Sequence, residues 1–270
     1  MPAMKRGLCQ LAAVPFGFTL LLTPGPLAAA DLVHAKDGSG VYGYNDTPVL
    51  PWCGFRVHEA DRPAPKRIDP GPVPAPGVPP SDALVLFNGK DLAQWQPADW
   101  KVVDGCLEAV GGSNLTTRDQ FGSCQIHLEW RAPNPPSGPW YNRGNNGVFL
   151  MGLYEIQIFD SHTEKIYPDG QAAAVYGQTP PLVNATRAPG EWQVFDIIFT
   201  PPLFAGDKLA QPARITMFHN GALVHLNQKI YGETGHRILP EYKQHVSQGP
   251  LRLSGHNSPV RFRNIWVRKL

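Results

Sequence analysis

Apolar and polar residues alternate along most of the chain after residue 82, which is the pattern of half-buried β-strands. The segment 123–131 reads SCQIHLEWR: its even-numbered residues from Cys124 to Trp130 are apolar or small, and the odd-numbered residues between them are polar. Similar runs occupy residues 101–110, 147–159, 192–200, 213–219, 222–226, 251–254 and 260–268. No window shows helical periodicity beyond about three turns. Residues 81–270 are therefore predicted to form one all-β domain, a sandwich of two packed sheets.

Turn residues separate these runs. Asp104-Gly105, Gly111-Gly112 and Asn220-Gly221 each lie between two predicted strands. The Asn-Gly pair is a strong signal for a two-residue hairpin with a type I′ turn. His219 and His225 flank that hairpin, and we expect them to be at the surface.

The chain before residue 81 is of a different kind. Residues 1–30 combine Lys5 and Arg6 with an apolar stretch from Leu8 to Leu22 and end in three alanines, which indicates a secretory signal peptide. Prolines interrupt that stretch, so a transmembrane anchor is disfavoured. Residues 63–80 contain eight prolines and should be extended. They form a spacer that either separates the polar lead (residues 31–62) from the main domain or lays it along the domain's surface.

The signal predicts export to the periplasm or the extracellular space, with no membrane span after its removal. It also explains the formal charge of +2, because the remaining chain carries 22 basic and 22 acidic residues. A neutral chain with 17% charged residues lacks the basic face that nucleic-acid binding requires. Export permits disulfides. Cys106 and Cys124 lie on neighbouring predicted strands and either pair or remain two free thiols.

Candidate chemistry is concentrated in residues 147–160. On a strand Glu155 and Gln157 share a face, and Asp160 joins them if a β-bulge lies at Ile158-Phe159. This E-x-Q-x-x-D pattern resembles the E-x-D-x-x-E strand of laminarinase-type β-glucanases, in which two carboxylates flank the glycosidic bond. Here an amide replaces the middle acid, which weakens the case for two-carboxylate chemistry.

A wider set of motifs gives a more specific resemblance. In chain order they are LFNGKDL at 86–92, WKVVDG at 100–105, LEWR at 128–131, NNGV at 145–148, YEIQ at 154–157, YGQ at 176–178, GEWQ at 190–193, HNG at 219–221 and PVRFRNIW at 259–266. The lead contributes GYNDTP at 43–48 and Val57-His58. Together these resemble the secreted bacterial 3-keto-disaccharide hydrolase family over most of the chain.

That resemblance implies a concanavalin A-like jelly-roll β-sandwich and cleavage of glycosides already oxidised at C3 of the sugar. The ketone acidifies the proton on C2, a base removes it, the enolate expels the C1 substituent, and water adds back. The reaction needs a base with a pKa near the working pH and a donor at the enolate oxygen. The catalytic candidates are Glu155, Asp160 and His256. His256 falls where the family has Gln-Asp-His, although Ser254-Gly255 replaces the first two residues.

Several further residues are candidates for binding a small carbohydrate: Arg143, Asn146, Gln157, Tyr176, Gln178 and Trp192. His162 is a weaker candidate in the loop after Asp160. No spacing matches a closed zinc site. A divalent ion, if the reaction uses one, would be held by Glu155, Asp160 or His256 with waters, and no other cofactor is predicted. The alternatives are a laminarinase-like endo-β-glucanase and a non-catalytic carbohydrate-binding module, since fold does not fix function.

Overall fold

The structure is a computed structural model that describes residues 32–270; the predicted signal at 1–30 and Cys9 lie outside this range. The described residues form short strands and two 3₁₀ turns, at Trp140–Asn142 and Pro168–Gly170. The strands are β1 (Val33–His34), β2 (Tyr42–Gly43), β3 (Lys66–Arg67), β4 (Leu84–Phe87), β5 (Lys101–Val103), β6 (Cys106–Glu108), β7 (Asn114–Phe121), β8 (Cys124–Arg131), β9 (Asn146–Leu150), β10 (Tyr154–Ile158), β11 (Val183–Asn184), β12 (Gln193–Thr200), β13 (Leu203–Ala205), β14 (Lys208–Gln211), β15 (Arg214–His219), β16 (Ala222–Lys229), β17 (Gly249–Ser254) and β18 (Arg261–Lys269).

Two sheets make the sandwich. The larger has eight strands in the order β16-β15-β12-β8-β18-β6-β5, with β4 also paired to β18. The smaller has four strands in the order β10-β9-β17-β7. Neighbours within each sheet are antiparallel, and many are distant in sequence, as in a jelly roll. The predicted all-β, concanavalin A-like jelly-roll fold is confirmed.

One hydrophobic core lies between the sheets. Leu128 and Trp130 of β8 pack there with Val148 of β9 and Ile156 of β10, and all four are fully buried. Successive side chains of a strand point to opposite faces, so these core positions fix the direction of their neighbours. In β9 and β10 the odd-numbered residues must face outward, away from the core.

The two hairpins nearest the functional residues follow from local turn chemistry. Asn220 and Gly221 both have positive φ, at 53° and 82°, and join β15 to β16 as the Asn-Gly signal predicts. The run at 147–159 is not one strand. Met151 and Gly152 adopt positive φ, at 55° and 71°, and turn the chain back, so β9 and β10 pair with each other.

The lead and the proline-rich spacer lie against the sandwich. In the lead, Leu50 and Val57 are fully buried. In the spacer, β3 pairs in parallel with β11, and the carbonyl oxygens of Gly71 and Pro72 accept hydrogen bonds from Arg187. The spacer therefore lays the lead along the surface of the main domain rather than separating the two.

Three expectations about individual side chains are settled here. Cys106 and Cys124 are free thiols rather than a disulfide, and Cys53 is also free. The expected surface positions of His219 and His225 are wrong: they are 0% and 2% exposed, because both side chains turn into the sandwich. Within the part of the chain that the structure describes, no helix has the length and apolar character to span a bilayer.

Candidate active site

A cleft of about 580 Å³ opens over the outward face of the four-stranded sheet. The strand register places two rows of side chains across its floor. One row runs Glu155, Phe149 and Arg252, and the next runs Gln157, Gly147 and Ser254. The cleft is lined by Tyr44, Asn114, Trp140, Tyr141, Asn145, Phe149, Glu155, Gln157, Ile166, Tyr167, Tyr176, Thr234, Gly235, His236, Ser254, Gly255 and His256.

Glu155 pairs with Phe149 on β9, and its carboxyl folds over Gly147, the partner of Gln157 one row further along. A Cβ atom added to Gly147 would come within 2.1 Å of Glu155 Oε1, so a larger residue there would displace the carboxyl from this position. With its amide nitrogen oriented toward acceptors, Gln157 donates to Glu155 Oε1 at 3.3 Å and to Asn146 O at 3.0 Å. The two residues predicted to share a strand face therefore also share a hydrogen bond.

The environment of Glu155 favours its neutral form. Burial raises the pKa of this carboxyl to about 8, and the nearby Arg252 offsets part of the rise. Arg252 does not form an ion pair with it, because the guanidinium packs 4.0 Å from the centre of the Phe149 ring. Glu155 is the only carboxylate among the lining residues that the structure describes. A carboxyl with a pKa near neutrality in a cleft is suited to general base catalysis.

Tyr176 forms the wall beside Glu155. Its backbone N–H donates to Glu155 O at 3.1 Å, so the segment around it runs along the edge of β10. The Tyr176 hydroxyl is 3.1 Å from the Tyr167 hydroxyl and 3.0 Å from His236 Nδ1. Burial, with a contribution from Glu155, raises the pKa of Tyr176 above its usual value of 10. The phenol is therefore a proton donor rather than an anion.

His256 lies on another part of the cleft's rim, directly after β17. It is exposed, and Ser254 and Gly255 line the cleft beside it. Four of the predicted site residues therefore line one cleft: Glu155, Gln157, Tyr176 and His256. Asn145 also lines it, whereas Asn146, the predicted binding residue, is buried and donates to Ser258 O.

Asp160 and Arg143 do not reach the cleft. Strand β10 ends at Ile158, and the proposed bulge does not form. Instead the Asp160 carboxylate, 2% exposed, accepts hydrogen bonds from the backbone N–H groups of His162 and Thr163. An Asp side chain that caps its own turn in this way is fully engaged locally. Arg143 pairs with Glu164 at 3.3 Å.

Three other candidates also have structural partners elsewhere. Gln178 is buried, donates to Gly232 O and accepts from the backbone of Tyr231. Trp192 stacks against the guanidinium of Arg263 at 4.0 Å. His162 borders a separate surface depression with Arg67 and Arg187.

The sequence did not identify the aromatic wall. Tyr44 and Tyr167 line the cleft beside Tyr176, and His236 completes the wall. Tyr44 belongs to the lead, and the others come from loops without periodicity. The only available signal was the GYNDTP motif, which contains Tyr44, and its position in space was not evident.

The cleft does not fit a divalent metal ion held by side chains. In residues 32–270 no group of three or more His, Cys, Asp or Glu side chains is placed to hold one. Of the three residues considered for an ion held with waters, Glu155 and His256 line the cleft, and Asp160 is engaged in its own turn.

Comparison with known proteins identifies the fold's relatives. Residues 82–268 match the sequence model of the 3-keto-alpha-glucoside-1,2-lyase-like domain. A candidate glycosyl hydrolase from Parabacteroides distasonis, known from its crystal structure, is 36% identical and aligns over 82% of this chain and 99% of its own, with a TM-score of 0.69. A second candidate glycosyl hydrolase from that organism is 23% identical, aligns over 70% and 99% of the two chains, and shows the same fold with a TM-score of 0.53.

No curated protein matches the sequence. The family assignment therefore rests on the domain match and on the 36% identical structure. The match covers more than half of the chain and includes Glu155, Gln157 and His256. The chain belongs to the carbohydrate-active family of the 3-keto-alpha-glucoside-1,2-lyase-like domain.

Proposed function

We propose that this protein cleaves glycosides whose sugar is oxidised to a ketone at C3. Glu155 acts as the base that removes the C2 proton. The observation that carries this proposal is the single carboxyl, with its raised pKa, at the centre of a cleft otherwise lined by neutral polar and aromatic groups.

The number of carboxyls separates this reaction from that of ordinary glycosidases. Retaining and inverting glycosidases of the usual kind need two carboxyl groups facing each other across the bond. The described lining of the cleft offers one, and Asp160 faces away from it. This disfavours the laminarinase-like alternative. Elimination next to a ketone needs one base, which the cleft supplies.

The reaction balances with the residues at hand. Glu155 takes the proton from C2, and the electron pair forms the enolate of the C3 ketone. The enolate electrons then form the C1=C2 bond as the C3 carbonyl is restored and the C1–O bond breaks. The leaving oxygen takes a proton from His256 at the rim. Water then adds its hydroxyl to C1 and returns a proton to His256. The Glu155 carboxyl exchanges its proton with solvent before it protonates C2. The products are the free 3-keto sugar and the alcohol.

A donor for the developing enolate oxygen is also present. The Tyr176 hydroxyl lines the cleft and is held protonated by burial, and the Gln157 amide donates to Glu155 itself and so orients the base. Neutral donors aimed at a developing negative charge stabilise the transition state more than the ground state. Apart from Arg252, whose guanidinium packs on the Phe149 ring, no Lys or Arg among the described residues borders the cleft, which suits an uncharged sugar.

The diagnostic experiment follows the C2 proton. A nitrophenyl 3-keto-glucoside is incubated with the protein in D₂O, and nitrophenol release and deuterium at C2 of the product are measured together. We expect release accompanied by deuterium at C2, and neither in Glu155→Gln. A sample of product without protein corrects for spontaneous exchange.

The remaining readings give different results in the same assay. Release without deuterium at C2 would contradict the elimination step. Release from the unoxidised glucoside would favour an ordinary glycosidase. Saturable binding of the 3-keto-glucoside without any release would favour the carbohydrate-binding module.

A further inference from the structure

The lead brings a histidine to the back of the cleft wall. The His58 side chain is completely buried, and its backbone φ is 59°. It is held there by its neighbours: the N–H of Val57 donates to Pro48 O at 2.9 Å, and His58 O accepts from the N–H of Tyr44 at 2.8 Å. Gly43 permits this close approach, since a Cβ atom there would lie 2.4 Å from Ala60 N.

One side of His58 is fixed by a buried carboxylate. Asp169 Oδ1 is 3.2 Å from His58 Nδ1, and Asp169 Oδ2 accepts the His58 backbone N–H at 3.0 Å. Arg62, also from the lead, lies 3.6 Å from the same carboxylate. Burial alone would raise the pKa of Asp169, but these two partners lower it overall. Asp169 is therefore a carboxylate, and His58 Nδ1 carries the proton that faces it.

The other side of His58 packs against the aromatic wall. Its ring centre is 4.1 Å from that of Tyr167, 4.9 Å from that of Tyr176 and 5.1 Å from that of His236. His58 Nε2 is buried and has no hydrogen-bond partner among the described residues.

We propose that the lead is part of the catalytic unit and that His58 is a positioning residue, clamped by Asp169, whose ring holds the Tyr176 hydroxyl and the His236 imidazole at the cleft. This rests on the proposed function of that cleft. The family match begins at residue 82, so this residue lies outside the matched domain. The argument for positioning is geometric. Tyr176 and His236 hydrogen-bond each other, and both of their rings pack against the ring of His58.

The variants are chosen so that the fold survives. Asn tolerates positive φ and keeps an amide donor toward Asp169, so His58→Asn removes the ring with little backbone cost. Tyr176→Phe removes the hydroxyl that His58 is proposed to position. His219→Asn is the matched control, because His219 is also fully buried among aromatic rings but lies away from the cleft.

The experiment is a double-mutant cycle on the full chain with nitrophenyl 3-keto-glucoside. We expect His58→Asn to lower kcat about 30-fold with KM changed less than about twofold, and the double variant with Tyr176→Phe to be no slower than Tyr176→Phe alone. His219→Asn should leave kcat unchanged. Wild-type kcat in folded His58→Asn, or full additivity with Tyr176→Phe, would overturn the proposal.

A second measurement needs no substrate and no activity. In protein labelled with ¹⁵N-histidine, His236 Nδ1 reports its hydrogen bond to Tyr176 through its chemical shift. We expect that signal to move in His58→Asn as it does in Tyr176→Phe, and an unmoved signal would refute the positioning role. If wild-type protein released no nitrophenol, the proposed function would fail while this measurement still decided the role of His58.

Discussion

Strands β8 and β10 each carry a glutamate on an outward face, but the two side chains have opposite environments. On β8, Glu129 is 2% exposed and accepts from Arg263 Nε at 2.7 Å and from Asn264 Nδ2 at 3.0 Å. Its neighbour His127 is 2.7 Å from Asp196 Oδ1. On β10, Glu155 has an amide neighbour and no ion pair with the described residues.

The difference in partners reverses the electrostatics. Burial alone would lower the pKa of His127, but its bonds to Asp196 and Glu129 raise it to about 9, and the same network lowers the pKa of Glu129. Both groups are held charged. Burial raises the pKa of Glu155 to about 8, which favours its neutral form. Paired buried charges stabilise one arrangement, whereas an unpaired carboxyl remains free to exchange a proton.

The largest expected effect is on catalysis. Glu155→Gln should lower kcat/KM for a 3-keto-glucoside about 10³-fold, because the amide cannot accept the C2 proton. Glu129→Gln is the matched control, since it makes the same change on the equivalent face of β8. Its kcat/KM per folded molecule should equal that of the wild type. Equal losses in the two variants would remove the distinction between the strands.

The next effect is on stability, and here the substitution on β8 is the damaging one. Glu129→Gln should lower the free energy of unfolding by about 3 kcal/mol, because it leaves the positive charges of Arg263 and His127 without their buried partner. Urea unfolding followed by tryptophan fluorescence measures this loss. An unchanged midpoint would show that the network around Glu129 contributes nothing to stability.

Glu155→Gln should instead stabilise the protein. The pKa of Glu155 is about 8 when folded and about 4.3 when unfolded, so between these values the folded state binds more protons. Stability is then lost as pH rises through that window. Because the Glu155 side chain is partly exposed, solvent screening reduces the full value of this shift, and we expect a gain of about 2 kcal/mol for the variant at pH 8 and almost none at pH 4. Urea midpoints at both pH values test this, and a gain independent of pH would contradict it.

The pH dependence of catalysis should follow the same group. With a pKa of about 8 in the free protein, the ionised fraction of Glu155 increases about tenfold between pH 7 and pH 9, and kcat/KM should rise accordingly. Glu129→Gln should leave this profile in place. A rising limb near pH 4 to 5 would mean that Glu155 is an ordinary exposed carboxyl or is not the base.

The smallest effect concerns the predicted binding residue on the wrong side of the sandwich. Trp192→Ala should leave KM unchanged, because its ring stacks between Arg131 and Arg263 near the Glu129 network. The loss of two cation–π contacts should cost about 1 kcal/mol in unfolding free energy. A KM increase larger than about threefold would restore the sequence-based assignment of Trp192 to substrate binding.

Much of the fold and part of the site follow from local sequence. Alternation with period two predicts β8, and the Asn220-Gly221 turn predicts the hairpin of β15 and β16. The same periodicity puts Glu155 and Gln157 on one face. The prediction that Asp160 lies in the site was wrong for a physical reason. Asp160 was assigned by counting residues past the end of β10, where strand periodicity no longer applies, and its side chain instead caps a turn.

What the sequence by itself determined is therefore the set of strands and the face of each residue, because both depend on backbone geometry within a few residues. Only the tertiary structure decided which polar face became a cleft. Glu129 is held charged by Arg263 from distant β18, the Glu155 carboxyl folds over Gly147 of β9, and His58 contacts Asp169, which lies 111 residues later in the chain. The proton affinity of a buried group depends on its neighbours in space, and local sequence does not specify those neighbours.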